Sequence, residues 1–184
     1  MNLIKKIIIK KRKIKEYKNY IHDHKINVIR AFYEFLNCKE LEDFILNLDT
    51  DALFALWDRV LDHDESKYDK IEFEAYRKEY YPIDAQERRL NKLAFDKAWE
   101  HHWKTNDHHW QHRQDWPDEE LDINTKLACI ENVLDWLAMG YKFNDRPYQY
   151  YEKHKEEIKL PSKQKEFIEY LIYQGIDKER VSND

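Results

Sequence analysis

Apolar residues along this chain recur mostly at intervals of three and four, the period of a helix that turns one face toward a core. Between residues 17 and 37 the stripe is Ile21, Val28, Phe32 and Phe35, widened by Ile26, Ile29, Tyr33 and Leu36, and it predicts a buried helix. A short helix over residues 41–48 follows. Asp49-Thr50-Asp51 supplies N-cap oxygens for the next helix, whose apolar face is Leu53, Leu56, Trp57, Val60 and Leu61. Residues 70–80 form a further helical stretch that Tyr81-Pro82 stops, because a residue before proline disfavours the helical conformation. Asp84 then caps a long helix through Leu90, Leu93, Ala94 and Ala98 to His102, interrupted at Thr105-Asn106-Asp107. Trp116-Pro117 marks a second break. Leu127, Ile130, Leu134 and Leu137 predict a helix from about Glu119 to Met139, with Gly140 as its C-cap. Helices over residues 147–158 and 163–174 complete the pattern. The expectation is an all-α fold, a single-domain helical bundle over residues 17–184 preceded by a basic arm, residues 1–16.

Composition agrees with long helices and short connections, since 184 residues contain two glycines and four prolines. Thirteen Tyr, eight Phe and six Trp can fill a core although 38% of the chain is charged. Cys38 and Cys129 stand far apart and outside any CxxC pair, which points to a reducing compartment. The longest apolar run near the start is Ile7-Ile8-Ile9, far short of a signal core or a membrane span, so the expected location is cytoplasmic.

Charge is unevenly spread. Residues 1 to 18 carry eight Lys/Arg against Glu16, a net +7, and the remainder therefore carries −12 within a total of −5. Such an arm suits nucleic acid, an anionic membrane or the acidic body itself, and the acidic body argues against a broad phosphate-backbone footprint.

The chemistry-bearing residues are histidines and acids. His63 and Asp64 follow Val60 by three and four and are expected to continue its apolar stripe inward. A buried acid is costly unless paired or bound to a cation, and an imidazole beside a carboxylate offers nitrogen and oxygen to a divalent metal. His24 lies three after Ile21 and four before Val28, on the inward side of its helix. The stretch HHWKTNDHHWQH holds His101, His102, His108, His109 and His112. Positions seven apart on a helix point the same way but stand about 10 Å apart along the axis, so a turn at residues 105–107 is needed to bring both pairs to one centre. The alternative is a wet helix surface packed over Trp99, Trp103 and Trp110. Asp135, four after Glu131 at the flank of its helix, is by itself an ordinary surface acid.

The order His24, His63-Asp64, His101 or His102, His108-His109, Asp135 resembles the HD-domain metal-dependent phosphohydrolases, all-helical proteins in which a lone His, a His-Asp doublet and a later Asp ligate a first metal and intervening His residues recruit a second. HDESK resembles the HDxxK form of the HD-GYP branch, but Trp110 follows His109 and no GYP triplet is present, so a cyclic-dinucleotide substrate does not follow. A closer resemblance runs through HK..V at His24, HDxSK at His63, EF..Y at Glu72, AW..H at Ala98, N.HHW at Asn106 and DW.AMG at Asp135. It is to an uncharacterised family of small phage and bacterial proteins, a domain of unknown function.

The HD resemblance implies His24, His63, Asp64 and Asp135 as primary ligands, with Asp64 bridging two ions. It adds His102 and His109 for a second site, His101 and His108 being the alternates. Mixed imidazole and carboxylate ligation admits Mn, Fe, Zn, Co or Ni, with Mn or Fe favoured by the resemblance alone. Lys67 then neutralises phosphate oxygens, against the reading of a solvated loop lysine. Asn106 contacts substrate, orients a ligand or caps a helix. Glu72 and Tyr76, four apart, form a pocket wall or support the ligands. The function this implies is hydrolysis of a nucleotide or other small phosphate ester by a metal-activated water. The alternative is a non-catalytic, metal-stabilised phage or bacterial protein that binds a protein partner or nucleic acid. Excess aromatic residues are compatible with a homo-oligomer.

Overall fold

The stripe from Ile21 to Phe35 lies on a helix longer than its own pattern: in the computed structural model, which describes residues 3–181, α1 runs Leu3–Leu36 and takes in the basic arm. The chain continues through α2 (Glu42–Leu46), α3 (Thr50–Asp62), α4 (Lys70–Tyr80), α5 (Ala85–Thr105), α6 (Trp110–Arg113), α7 (Ile123–Phe143), α8 (Pro147–His154), α9 (Ser162–Glu169), a π-helical turn (Tyr170–Ile176) and α10 (Lys178–Val181). No strand occurs among the described residues, so the all-α expectation holds. Caps start the helices where a short polar side chain can satisfy orphan N–H groups. Asp49 accepts from the Ala52 amide at 2.7 Å, Asp84 from Glu87 at 2.8 Å and Asp122 from Thr125 at 2.7 Å.

The helices form two compact units, each built from separated stretches of chain. One comprises residues up to His24 with Asp64–Asn106, the other Lys25–His63 with the residues from Asp107 onward. The first has a small aromatic core: Tyr17, Ile21, Ala75, Tyr76 and Ala98, with Tyr20, Phe73, Tyr81, Phe95 and Trp99 packed against it. Here α4 packs on α5, and Asn91 donates to the Ala75 carbonyl at 2.7 Å. Arg77, fully buried, is held by both oxygens of Glu87 at 2.9 and 2.8 Å.

The second unit has the larger, mostly aliphatic core, centred on α7, which is buried continuously from Leu127 to Leu134. A helix buried on all sides belongs in the middle of a bundle. Around it pack α3, α8 and α9. Arg113 is fully buried, donating to Gln164 at 2.9 Å, to Asn132 at 2.8 Å and to the Asp107 carbonyl, so it pins the segment from Asp107 to α7 and α9.

Several sequence expectations need correction. Helix α7 begins at Ile123, where Asp122 caps it, and runs through Gly140 to Phe143, with Asn144 in the left-handed conformation at its end. Gly140 is needed inside the helix because the Asp145 carbonyl stands where its Cβ would be. Leu90 and Leu93 are 73% and 69% exposed, and the inward positions of α5 are Asn91, Ala98 and His102. Leucine was the wrong guide there because the partner carbonyl and the acids inside this unit ask for polar side chains. Ile26, Tyr33 and Leu61 also face solvent, so their stripes are narrower than the pattern suggests.

Candidate metal centre

Helix α3 ends at Asp62, and neither His63 nor Asp64 continues its stripe as expected. His63 leaves the helical region (φ −49°, ψ 127°) and Asp64 is left-handed (φ 57°, ψ 22°). A non-glycine residue in that region costs on the order of 1 kcal/mol, least for Asp and Asn. The turn leaves both side chains 2% exposed, so inward placement comes from the break rather than from helical phase. A 3₁₀ turn over Glu65–Tyr68 then buries Ser66 and Lys67, and the Lys67 ammonium lies on the Asp64 carboxylate.

Within the first unit, Asp64 faces two imidazoles. His24 Nε2 is 3.4 Å from its Oδ2, and His102 Nε2 is 3.1 Å from its Oδ1. Both histidines are buried. The far nitrogen of His102 is taken by Glu72, a fully buried carboxylate whose Oε2 is 2.9 Å from His102 Nδ1 and whose Oε1 is 2.7 Å from His101 Nδ1. A carboxylate only accepts, so each Nδ1 carries the proton and the Nε2 of a neutral His102 presents its lone pair to Asp64. Two acceptors face each other across that gap, and a proton or a cation has to lie between them. Burial pulls the His102 pKa down, but the charges of Asp64 and Glu72 outweigh it and raise it. Asn106 donates to Ser66 Oγ at 2.8 Å and to the His102 carbonyl at 2.7 Å, closing α5 and bracing the imidazole.

The second unit repeats the device. Glu131 Oε1 lies 2.8 Å from His63 Nδ1 and 3.1 Å from His108 Nδ1, while its Oε2 accepts from Arg59 Nε at 2.8 Å. Arg59 also pairs with Asp107, the residue before His108. Burial pushes the Glu131 pKa up, yet His108 and His63 together hold it far below the usual carboxylate range. His63 Nε2 is left facing Asp135 Oδ1 at 3.6 Å. Donor atoms of His108, His109 and the partly exposed Asp135 lie within 4.8 Å of one another.

The structure thus turns His101 to Glu72 and His102 to both Glu72 and Asp64, whereas His108 and His109 stay side by side with ring centroids 4.2 Å apart. The Tyr76 and His102 rings meet edge to face, their centroids 5.6 Å apart. The hydroxyls of Tyr76 and Tyr17 are buried with no hydrogen-bond partner among the described residues, and burial raises both pKa values. Sequence reasoning missed Glu131 and Arg59 as functional residues. The available signal was an acid inside the apolar run LACIENVLDWLAMG, one turn before Asp135.

Bond lengths near 2.1 Å from a metal to nitrogen or oxygen place neighbouring ligand atoms about 3.0 to 3.4 Å apart, which is close to the spacing of these imidazole–carboxylate pairs. The protein is therefore an all-helical one whose buried histidine and aspartate groups can hold a metal ion. By sequence it belongs to a family of unknown function, DUF5662, whose model matches residues 13–174. No curated protein and no solved structure matches the chain. Among the described residues no helix is long and apolar enough to cross a membrane.

Proposed function

We propose that His24, His63, Asp64, His102, His109 and Asp135 ligate one or two divalent transition-metal ions, and that the chain is an HD-type phosphohydrolase acting on a nucleotide or another small phosphate ester. The observation that supports this best is the facing of imidazole Nε2 atoms onto aspartate oxygens at 3.1 to 3.6 Å in each unit, with glutamates taking the Nδ1 protons. By the HD resemblance the ion is Mn or Fe ahead of Zn, Co and Ni. When bound, it supplies a water acidic enough to serve as nucleophile near neutral pH.

The remaining chemistry belongs to the chain. Asp64, with an imidazole against each oxygen, would be the residue shared by the two ions. Glu72 and Glu131 fix the imidazole tautomers and ring orientations. Lys67, buried beside Asp64, neutralises charge that builds on phosphate oxygens, where a partly dry site makes an ammonium effective. Tyr17 and Tyr76 have hydroxyl protons to donate to the same oxygens.

The test is elemental mass spectrometry on the wild type and a His63→Ala/Asp64→Ala variant, with a phosphate-ester panel run on wild type and Asp64→Ala. One to two equivalents of metal lost in the double variant, and turnover lost in a folded Asp64→Ala protein, are the expected results. Full turnover in Asp64→Ala overturns the catalytic role. A wild type that stays metal-free after incubation with Mn, Fe and Zn overturns the centre. The small aromatic core of the first unit favours one further reading, a metal kept for stability. It predicts that chelation lowers the melting temperature of a protein with no hydrolytic activity.

A further inference from the structure

Lys10 pairs with Glu74 of α4 at 3.3 Å, and α1 extends seven residues, Leu3 to Ile9, beyond that contact. In this extension Leu3 is 73% exposed, Ile4 69%, Ile7 49% and Ile8 63%. At 100° per residue the four fall within an arc of about 140°, one face of the helix. Four large aliphatic side chains gathered on a water-facing helix mark an interaction surface. They are set among eight Lys/Arg and one acid over residues 1 to 18. Arg12 and Lys13 pair with Glu16, whereas Lys6 and Lys11 have no carboxylate partner among the described residues.

We propose that this segment docks in the plane of an anionic lipid surface. Leu3, Ile4, Ile7 and Ile8 enter the acyl boundary, while Lys6, on the opposite side, lies at the headgroups and Lys11, one turn beyond the aliphatic residues on their own face, reaches up to them along its flexible stem. An amphipathic helix with a basic polar face meets both of its needs there, because apolar burial and attraction to anionic lipid act together. Nucleic acid would neutralise the lysines and leave the aliphatic face in water. A second copy of the chain would cover the aliphatic face but bring two arms of like charge, each +7, against one another. The apolar face is far shorter than the roughly 20 residues a span requires, so the helix lies on the surface and does not cross it. The −12 carried by the rest of the chain restricts the attraction to this end. The proposal is independent of the metal centre.

Co-sedimentation of the full chain with vesicles of neutral phosphatidylcholine, and with vesicles containing about a third phosphatidylserine, tests it. The protein is expected in the pellet only with anionic vesicles, and less so at high salt. Lys6→Gln/Lys11→Gln should weaken partitioning about fivefold per lysine. Ile4→Ser/Ile7→Ser/Ile8→Ser should abolish it, and an unchanged melting temperature would show that these exposed positions leave the fold intact. A wild type that stays in the supernatant at low salt overturns the proposal, as does undiminished binding by the serine variant. Binding to duplex DNA that survives the serine substitutions, or a dimer that they dissociate, also overturns it.

Discussion

Each unit of the protein hangs two histidines on one buried glutamate, and the two glutamates differ in what stands behind them. Glu131 has the Arg59 guanidinium on its second oxygen and lies on a helix inside a large aliphatic core. Glu72 gives its two oxygens to His101 and His102, has the Ser66 hydroxyl beside it, and lies in a unit with five buried core residues among those described. A buried carboxylate needs a partner charge or a full set of hydrogen bonds. Glu131 keeps a permanent cation whatever the imidazoles do. Glu72 does not, so the charge balance of the first unit depends on what occupies His102 Nε2. The same local device is therefore fixed in one unit and responsive in the other.

The largest expected effect comes from cutting the fixed device. Glu131→Ala leaves two buried imidazoles without their acceptor and takes from Arg59 one of its two carboxylates, Asp107 being the other, and should destabilise by about 3 kcal/mol. Glu72→Ala, which removes no guanidinium contact, should cost about 2 kcal/mol. Denaturant unfolding of both variants checks the order, and equal costs would mean that Arg59 does not distinguish the two sites.

Chelation sharpens the contrast next. Removing metal should speed amide exchange in α4 and α5 by roughly tenfold, the equivalent of about 1.4 kcal/mol, and leave the interior of α7 nearly unchanged. Equal acceleration in both would show that the small core is not the dependent one.

The smallest effect is one of pH. Burial raises the Glu87 pKa, but hydrogen bonds from Arg77 and the Ile83 amide outweigh it and the net shift is downward. A carboxyl whose folded pKa is lowered adds stability that is present above its unfolded value near 4.3 and lost as pH falls toward the folded value. The first unit should therefore lose stability on acidification through this window. Glu87→Gln should flatten the dependence, and an unaltered slope of melting temperature against pH would remove Glu87 from the account.

Much of the helical order was legible because its signals are local. Asp49 and Asp84 cap the helices that the pattern starts at them, and Tyr81-Pro82 ends α4 where the backbone restriction places the stop. The errors at Leu90, Leu93 and Gly140 share a cause. What an α5 position faces, and which carbonyl crowds α7, depend on chain segments that a periodicity count does not include.

The candidate site divides in the same way. The sequence by itself determined the inventory: most of the helices, the His and Asp side chains, the turn at residues 105–107 and the charge of the arm. Tertiary structure alone decided which nitrogen of each imidazole faces an acid. His63 and Glu131 are 68 residues apart in the chain, and Glu131 and Arg59 are 72 apart. It also decided that His63 and Asp64 turn inward through a left-handed residue rather than along a helix. Helix starts and stops are set by hydrogen bonds spanning three or four residues, which the chain writes in order. The partner of a buried charge is set by which segments pack around it, and that is a property of the folded molecule.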